Sequence, residues 1–468
     1  MLDRRLRWTL CCALLSTVGC RCLRASAPTK AAPRWEYTVA LGTTLDDLQV
    51  LASFPPGSGD VTVAEAAAAP FVRDLAVDSG STWRSASWPI ACDGGCRIRY
   101  GFALRRAADT LDDPFLALAD RDVVVTPAST WLVRPEQDSD AELLIRVERG
   151  SARFATGLRA VGPDTYRLSA VDLGGASLSV FGAHRRVPME AAGAHVEVIV
   201  GAGQDPIGDA QLAHWIAADA DVVRAELGAF PVDRLFVAVV RDDAAAHTFG
   251  LTVGGGGAGI LLRVPTDLEP SSVVAGDWVL PHEMIHVATP RLDADHRWLS
   301  EGLATYVEPL LRVRAGFVDA EKFWRDLVEG LPRGLPEAGD EGLDRTHTWG
   351  RTYWGGALFC LLADVGIRER TKGRASLDDV LRAVHAAGGN VLSRWSLARW
   401  LEVGDAATGT RVLHELHERL GARPGEVDLA ALFRRLGVAI EEGRVRYDEN
   451  APLASIRRAL TVAIARAP

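Results

Sequence analysis

The sequence predicts an α+β protein with an N-terminal antiparallel β domain, a mixed domain of strands and helices, and a helical C-terminal segment. Between residues 34 and 191, short runs of alternating apolar and polar residues are separated by Gly, Pro and Asp, which is typical of antiparallel strands. After about Gly193, strand-like runs alternate with helical spacing, and helical spacing dominates from Ser271 onwards. A chain of 468 residues exceeds the usual size of one hydrophobic core, so we expect domains at 34–191, 192–400 and 401–468.

The first 27 residues are expected to be an export signal and a linker rather than part of the fold. Arginines at positions 4, 5 and 7 precede a short apolar run at 9–18, the order found in a secretory signal. Residues 17–20, TVGC, resemble the end of a bacterial lipoprotein signal, in which Cys20 would be lipidated and attach the protein to a membrane. Two alternatives stay open: cleavage after Ala27, or an ordinary cysteine at position 20. Each predicts an exported protein, in the cell envelope, the periplasm or outside the cell.

The N-terminal β domain is predicted from runs such as 37–41, 96–102, 122–125 and 141–147, with helical spacing only at 64–77 and 103–119. Cys92 and Cys96 flank a tight Asp-Gly-Gly turn, and in an oxidising compartment we expect them to form a disulfide. Cys360 lies in an apolar run and is expected to be buried and inert.

The mixed domain begins with predicted strands at 195–200 and 235–240, separated by a helix at 209–227. A glycine run at 254–259 leads into another strand. The composition excludes two classes of protein. A formal charge of −9 without a basic tract argues against nucleic acid as a partner, and no later stretch reaches the ~20 apolar residues of a membrane span.

A metal-binding motif, HEMIH, occupies residues 282–286. Helical spacing of four places His282 and His286 on one face, one turn apart, so that both can bind one zinc ion. Glu283, between them, can take a proton from a water molecule on that zinc. Asp277 is placed to cap the start of this helix, which puts Pro281 in the first turn, where a proline is tolerated.

The third ligand is predicted to be Glu301, fifteen residues after His286, in the sequence WLSEGLATY at 298–306. A zinc hydrolase keeps three protein ligands and one open position, so His282, His286 and Glu301 would complete a site for one Zn²⁺ per chain. Thr305, one turn after Glu301, is a candidate to support the metal site. His296 is expected to border the site only.

These two motifs resemble those of the gluzincin zinc metallopeptidases, and more closely those of the glycyl aminopeptidase family, relatives of aminopeptidase N. Further similarity lies at 353–368 and 376–382, in the C-terminal segment from Pro452, and around Ile98 in the β domain. The resemblance implies a thermolysin-like catalytic domain behind the β domain, a peptide or protein substrate, and a tyrosine that hydrogen-bonds the oxyanion. Tyr353 stands at that position, and His347 is the alternative.

Two departures from the family matter. The family often has an acid on the strand that lines the substrate groove, but this chain has a glycine run there. We expect Gly255, Gly256 and Gly257 to bind the substrate backbone, with the peptide along 255–262; the alternative is a loop without substrate contact. The missing acid leaves aminopeptidase and endopeptidase action both open. The 67 residues after Leu401 are too few for the PDZ domain that relatives often carry.

The predicted function is an exported zinc metallopeptidase. The alternatives are an envelope lipoprotein that acts as a binding or assembly module with weak or no activity, and a zinc hydrolase of a non-peptide amide or ester. The pair His414 and His417 has a spacing of three and no third ligand, so we expect a solvated helix face there. The sequence carries no signal for an oligomeric state.

Overall fold

The structure, a computed structural model, describes residues 33–463 except 79, 81, 138, 149–152, 202–206, 243–246 and 267–275. The predicted signal, with Cys20, lies outside these residues. None of the described helices has the length and hydropathy of a membrane span. The described chain from Pro33 onwards forms one compact unit.

The N-terminal part is built almost entirely from strands, as predicted. They are β1 Arg34–Leu41, β2 Leu48–Phe54, β3 Asp60–Val63, β4 Val72–Asp78, β5 Trp83–Ser85, β6 Ile90–Ala91, β7 Cys96–Phe102, β8 Leu118–Asp120, β9 Val123–Pro127, β10 Val133–Pro135, β11 Glu142–Glu148, β12 Phe154–Thr156, β13 Arg159–Gly162, β14 Thr165–Ser169 and β15 Leu178–Gly182. Two short helices accompany them, α1 Leu104–Leu111 and α2 Ala128–Trp131. The disulfide between Cys92 and Cys96 is present.

These strands form sheets of eight, three and four strands. The eight-stranded sheet has the order β13-β14-β11-β1-β2-β7-β4-β5, and all its pairs are antiparallel except β1 with β11. The four-stranded sheet has the order β12-β15-β9-β8. Strand β1 shows why the alternating pattern was informative: Trp35, Tyr37 and Val39 are buried, and the residues between them are not.

A five-stranded sheet follows, in the order β16-β17-β18-β20-β19. Its strands are β16 His184–Ala191, β17 Ala194–Gly201, β18 Arg234–Asp242, β19 Phe249–Val253 and β20 Gly259–Pro265. Strands β17, β18 and β20 run parallel, whereas the two edge strands β16 and β19 are antiparallel to their neighbours. The β16–β17 hairpin crosses the predicted domain limit between residues 191 and 192. The three domain ranges given above stay predictions.

Both faces of the five-stranded sheet are buried, which explains the continuous apolar run of β18. Val237 and Val239 pack in the large core that the helices cover. Phe236, Ala238 and Val240 face the other way, into a smaller apolar cluster shared with the four-stranded sheet. The sheet is therefore held between the N-terminal sheets and the helices.

The remaining chain is mostly helical, as predicted. The helices are α3 Asp209–Leu227, α4 Val279–Val287, α5 Arg297–Arg314, α6 Ala320–Gly330, α7 Gly356–Thr371, α8 Leu377–Ala386, α9 Leu397–Thr408, α10 Val412–Leu416, α11 Leu429–Leu436 and α12 Ala454–Leu460. The segment after Leu401, expected to be helical, also contains a hairpin of β21 Val438–Glu441 and β22 Arg444–Tyr447. Cys360 is buried and free, and burial raises the pKa of its thiol well above the usual range.

Candidate metal centre

Helix α4 carries the two histidines. The Asp277 carboxylate accepts a hydrogen bond from the Leu280 N–H at 2.9 Å, so it caps the helix start as predicted, with Pro281 in the first turn. His282 and His286 lie one turn apart with ring centroids separated by 4.9 Å. Both imidazoles are largely buried, and they face helix α5.

Glu301 on α5 completes the cluster. Its Oε2 lies 3.5 Å from His282 Nε2 and 3.3 Å from His286 Nε2. Ligands about 2.1 Å from a tetrahedral zinc ion lie about 3.4 Å apart, so these spacings fit such an ion. One ligand atom from each of the three residues lies within 4.8 Å of the others. Within the described residues, the three predicted ligands therefore form a donor set suited to zinc, with a fourth position left for another ligand.

The charges of the three side chains support one another. Burial opposes the charged form of His286, but the nearby Glu301 and Glu283 carboxylates raise its pKa above the usual value. Burial likewise opposes ionisation of Glu301, but the two histidines shift its pKa far below the usual range. Glu301 is thus an ionised carboxylate held between two imidazoles, which is the state in which it can bind a cation.

Two residues that the sequence analysis missed hold these ligands in place. Ser300 Oγ lies 3.0 Å from His286 Nδ1, which orients that ring with Nε2 towards Glu301. Arg297 Nε donates to Glu301 Oε1 at 3.1 Å, while the other carboxylate oxygen faces the histidines. The Arg297–Glu301 pair could have been predicted from the sequence, since residues four apart are neighbours on a helix surface.

Glu283 is buried between α4 and strand β19. Its Oε2 accepts a hydrogen bond from Thr252 Oγ1 at 2.6 Å. Gly250 lies beside it, and a Cβ at that position would be only 2.4 Å from Glu283 Cγ. Thr252 was also missed, because 31 residues separate it from Glu283 and only the fold brings them together.

Tyr353 lies in a π-helical turn, Arg351–Gly355, at the start of α7. The positive charge of Arg297, whose Nε pairs with Glu301, also acts on the Tyr353 hydroxyl. Burial, together with the charge of Glu301, raises the pKa of Tyr353, which keeps the phenol protonated at neutral pH. Because Arg297 cannot accept a hydrogen bond, the phenol proton stays available to another acceptor. The alternative, His347, is half exposed and lies 4.0 Å from Asp295.

The predicted substrate-binding glycines lie at the contact with the N-terminal domain. Gly255 O accepts from Ser177 N at 2.7 Å, and Gly255 N donates to Gly175 O at 2.8 Å. Gly256 has a positive φ of 73°, and a Cβ on Gly257 would be 1.8 Å from the Gly157 carbonyl oxygen. A role for Gly255, Gly256 and Gly257 in substrate binding stays a prediction.

The substrate peptide was expected along 255–262, but strand β20, which covers 259–262, has no free edge, because it pairs with β18 on one side and with β19 on the other. The strand that ends the sheet beside Glu283 is β19. Its residues Gly250 and Thr252 face Glu283 on helix α4, whereas Leu251 and Val253 pack against the smaller apolar cluster.

Four other residues that the sequence singled out have structural partners. Thr305 Oγ1 donates to the Glu301 main-chain oxygen at 2.7 Å. His414 and His417 do not form the solvated face that was expected; each is partly buried and lies within 2.8 Å of an aspartate oxygen, Asp405 for the first and Asp344 for the second. His296 is also near Asp344, at 3.8 Å.

No protein-family profile matches the sequence, and no curated protein matches it significantly. Solved structures do match the fold. An aminopeptidase N family protein from Idiomarina loihiensis is similar with a TM-score of 0.63 and 12% sequence identity, over 87% of this chain and 79% of that one. A variant of a two-domain M1 zinc metallopeptidase bound to L-arginine is similar with a TM-score of 0.51 and 16% identity, over 84% of this chain and 94% of that one. As the resemblance implied, the chain has the fold of aminopeptidase N family and M1 zinc metallopeptidase structures.

Proposed function

We propose that this protein is an exported zinc metallopeptidase that hydrolyses peptide bonds. The observation that carries the proposal is the buried cluster of His282, His286 and Glu301 with Glu283 beside it. When bound there, zinc would act as a Lewis acid that makes a water molecule more acidic and polarises the substrate carbonyl. The similarity of the fold to zinc metallopeptidase structures supports the same class of activity.

Glu283 is proposed to be the general base. Its carboxylate would take the proton from the attacking water and later transfer it to the leaving amine. Thr252 holds one carboxylate oxygen at 2.6 Å, which fixes the direction in which the other points. The close approach of Gly250 leaves the Glu283 side chain little freedom to turn away.

Tyr353 is proposed to stabilise the oxyanion. Its phenol would donate a hydrogen bond to the carbonyl oxygen as negative charge develops on that atom, which favours the transition state over the bound substrate. Arg297, whose charge acts on both Tyr353 and Glu301, would help to orient the phenol. Strand β19 would pair with the substrate main chain, because it is the edge strand beside Glu283.

The decisive experiment compares wild type with Glu283→Gln for zinc content and for cleavage of a mixed peptide library. We expect about one zinc per chain in both, and cleavage in the wild type only. Glu415→Gln is the matched control, because Glu415 stands in a similar His-Glu-Leu-His sequence but is exposed and pairs with Arg370.

Three other outcomes are informative. If the wild type binds zinc but cleaves nothing, the binding-module alternative is favoured. Absence of zinc would overturn the ligand assignment. Cut positions would distinguish exo- from endopeptidase action.

Export is part of the proposal and rests on residues 1–27 alone. The order of the arginines and the apolar run supports an export signal, and residues 17–19 before Cys20 support its lipidation. Mass spectrometry of the mature N-terminus tests this directly. An acylated N-terminal Cys20 would establish a membrane anchor, and a chain that starts at Pro28 would exclude it.

A further inference from the structure

In the part of the chain that the structure describes, two tryptophans are exposed, whereas most others are packed in cores. Trp278 and Trp349 are 49% and 58% exposed, while Trp298, Trp324 and Trp400 are fully buried. An exposed indole lacks the favourable free energy that burial of its apolar surface would give. Exposed tryptophans at one place therefore indicate a contact surface.

Each of these indoles lies against a group of the proposed active site. The Trp278 ring is 5.8 Å from the imidazole of the ligand His282, in an edge arrangement at 86°. The Trp349 ring is 5.7 Å from the Tyr353 ring and nearly parallel to it, at 27°. Each tryptophan precedes its partner by four residues, so the local helical backbone fixes both contacts. One indole adjoins the metal ligands and the other the proposed oxyanion donor.

We propose that Trp278 and Trp349 form two aromatic walls that select peptides with aromatic or large aliphatic side chains next to the scissile bond. This inference rests on the proposed peptidase function and adds its substrate class. Indole faces also attract cationic side chains, but Arg297 carries a half-exposed positive charge next to Tyr353, which disfavours Lys and Arg in the substrate. Apolar side chains would cover both indoles without facing that charge.

The test is the ratio of kcat/KM for peptides with Phe or Leu at the cleaved bond to kcat/KM for the same peptides with Ala. We expect the wild type to favour Phe and Leu, and Trp278→Ala and Trp349→Ala each to lower the ratio by about tenfold. Replacement by Phe should retain most of it. Phe115→Ala, which removes an exposed aromatic ring from the N-terminal domain, is the control and should leave rates and ratio unchanged. An unchanged ratio in both Ala variants, or a wild-type preference for Lys or Arg, would overturn the inference.

Binding measured without turnover separates this inference from the proposed function. Zinc-loaded Glu283→Gln is titrated with the Phe and Ala peptides in a calorimeter, so that the readout does not depend on the tryptophans that are later replaced. The inference is supported if the Phe peptide binds more tightly than the Ala peptide and this difference is lost when Trp278 and Trp349 are both replaced by Ala. If the wild type cleaves nothing yet shows this binding, the two tryptophans still form a binding site for apolar side chains, and the peptidase proposal fails. Equal binding of both peptides overturns the inference even if cleavage occurs.

Discussion

Tyr353 differs from the zinc ligands because its contribution is expected only in the transition state. Removing its hydroxyl in Tyr353→Phe should lower kcat by about 10²–10³-fold and change KM little, since the lost hydrogen bond forms only as charge develops. Steady-state kinetics on a peptide cleaved by the wild type would measure both constants. Tyr447→Phe, at a half-exposed tyrosine of β22, is the control. A variant with normal kcat would assign the phenol a structural role.

Ser300 contacts a proposed zinc ligand, His286, and is not itself in the ligand set. Ser300→Ala removes the partner of His286 Nδ1 and should weaken zinc binding by about 10–100-fold, because the ring is then free to rotate. Competition with a chelator of known affinity measures this. Thr305→Val is the matched control, since its hydroxyl bonds the main chain rather than a ligand side chain. Equal affinity in Ser300→Ala and wild type would show that helix packing alone orients His286.

At the scale of elements, α4 depends on its N-terminal cap. Asp277→Ala leaves the Leu280 N–H without its partner and should lower the free energy of unfolding by about 1 kcal/mol. Because α4 carries both histidines, zinc affinity should fall as well, and Asp277→Asn should restore most of both. Urea unfolding and zinc titration give the two readouts.

The control for the α4 cap is Asp428→Ala. Asp428 caps helix α11 through the Ala431 N–H at 2.8 Å and belongs to the C-terminal segment. We expect a similar loss of stability with unchanged zinc affinity. If Asp428→Ala weakens zinc binding as much as Asp277→Ala does, the effect on zinc is global and does not arise in α4.

The elements that could be predicted from the sequence are those whose signal is local. The spacing in 282–286 and the position of Glu301 were sufficient to predict that His282, His286 and Glu301 come together, and alternation was sufficient to predict strands such as β1. The order of the strands was not readable, because β19 lies outside β20 in the sheet although it precedes it in the chain. The contact of Thr252 with Glu283 depends on that order. The hairpin β21–β22 was missed because each of its strands has only four residues.

For the whole molecule, the contact between the N-terminal sheets and the five-stranded sheet with its helices is an extensive structural interface. The four-stranded sheet packs against the five-stranded sheet through an apolar cluster. Asp172 accepts from Arg291 at 2.8 Å and from Arg394 at 3.2 Å, and buried Asp120 pairs with Arg241 at 3.3 Å. The five-stranded sheet thus depends on the N-terminal part to cover one of its faces, and we expect the two to unfold together.

Gly257→Ala tests whether the glycine run serves this interface or the substrate. The new Cβ would lie 1.8 Å from the Gly157 carbonyl oxygen, so the two parts must separate locally. Overpacking of this kind costs about 1–3 kcal/mol or more, and urea unfolding should show that loss as one shifted transition. Gly174→Ala, whose Cβ would meet open space, should change stability by less than about 0.5 kcal/mol. A substrate-binding role predicts the opposite result for Gly257→Ala, a raised KM at unchanged stability, because a glycine that only admits the peptide backbone contributes nothing to the domain contact.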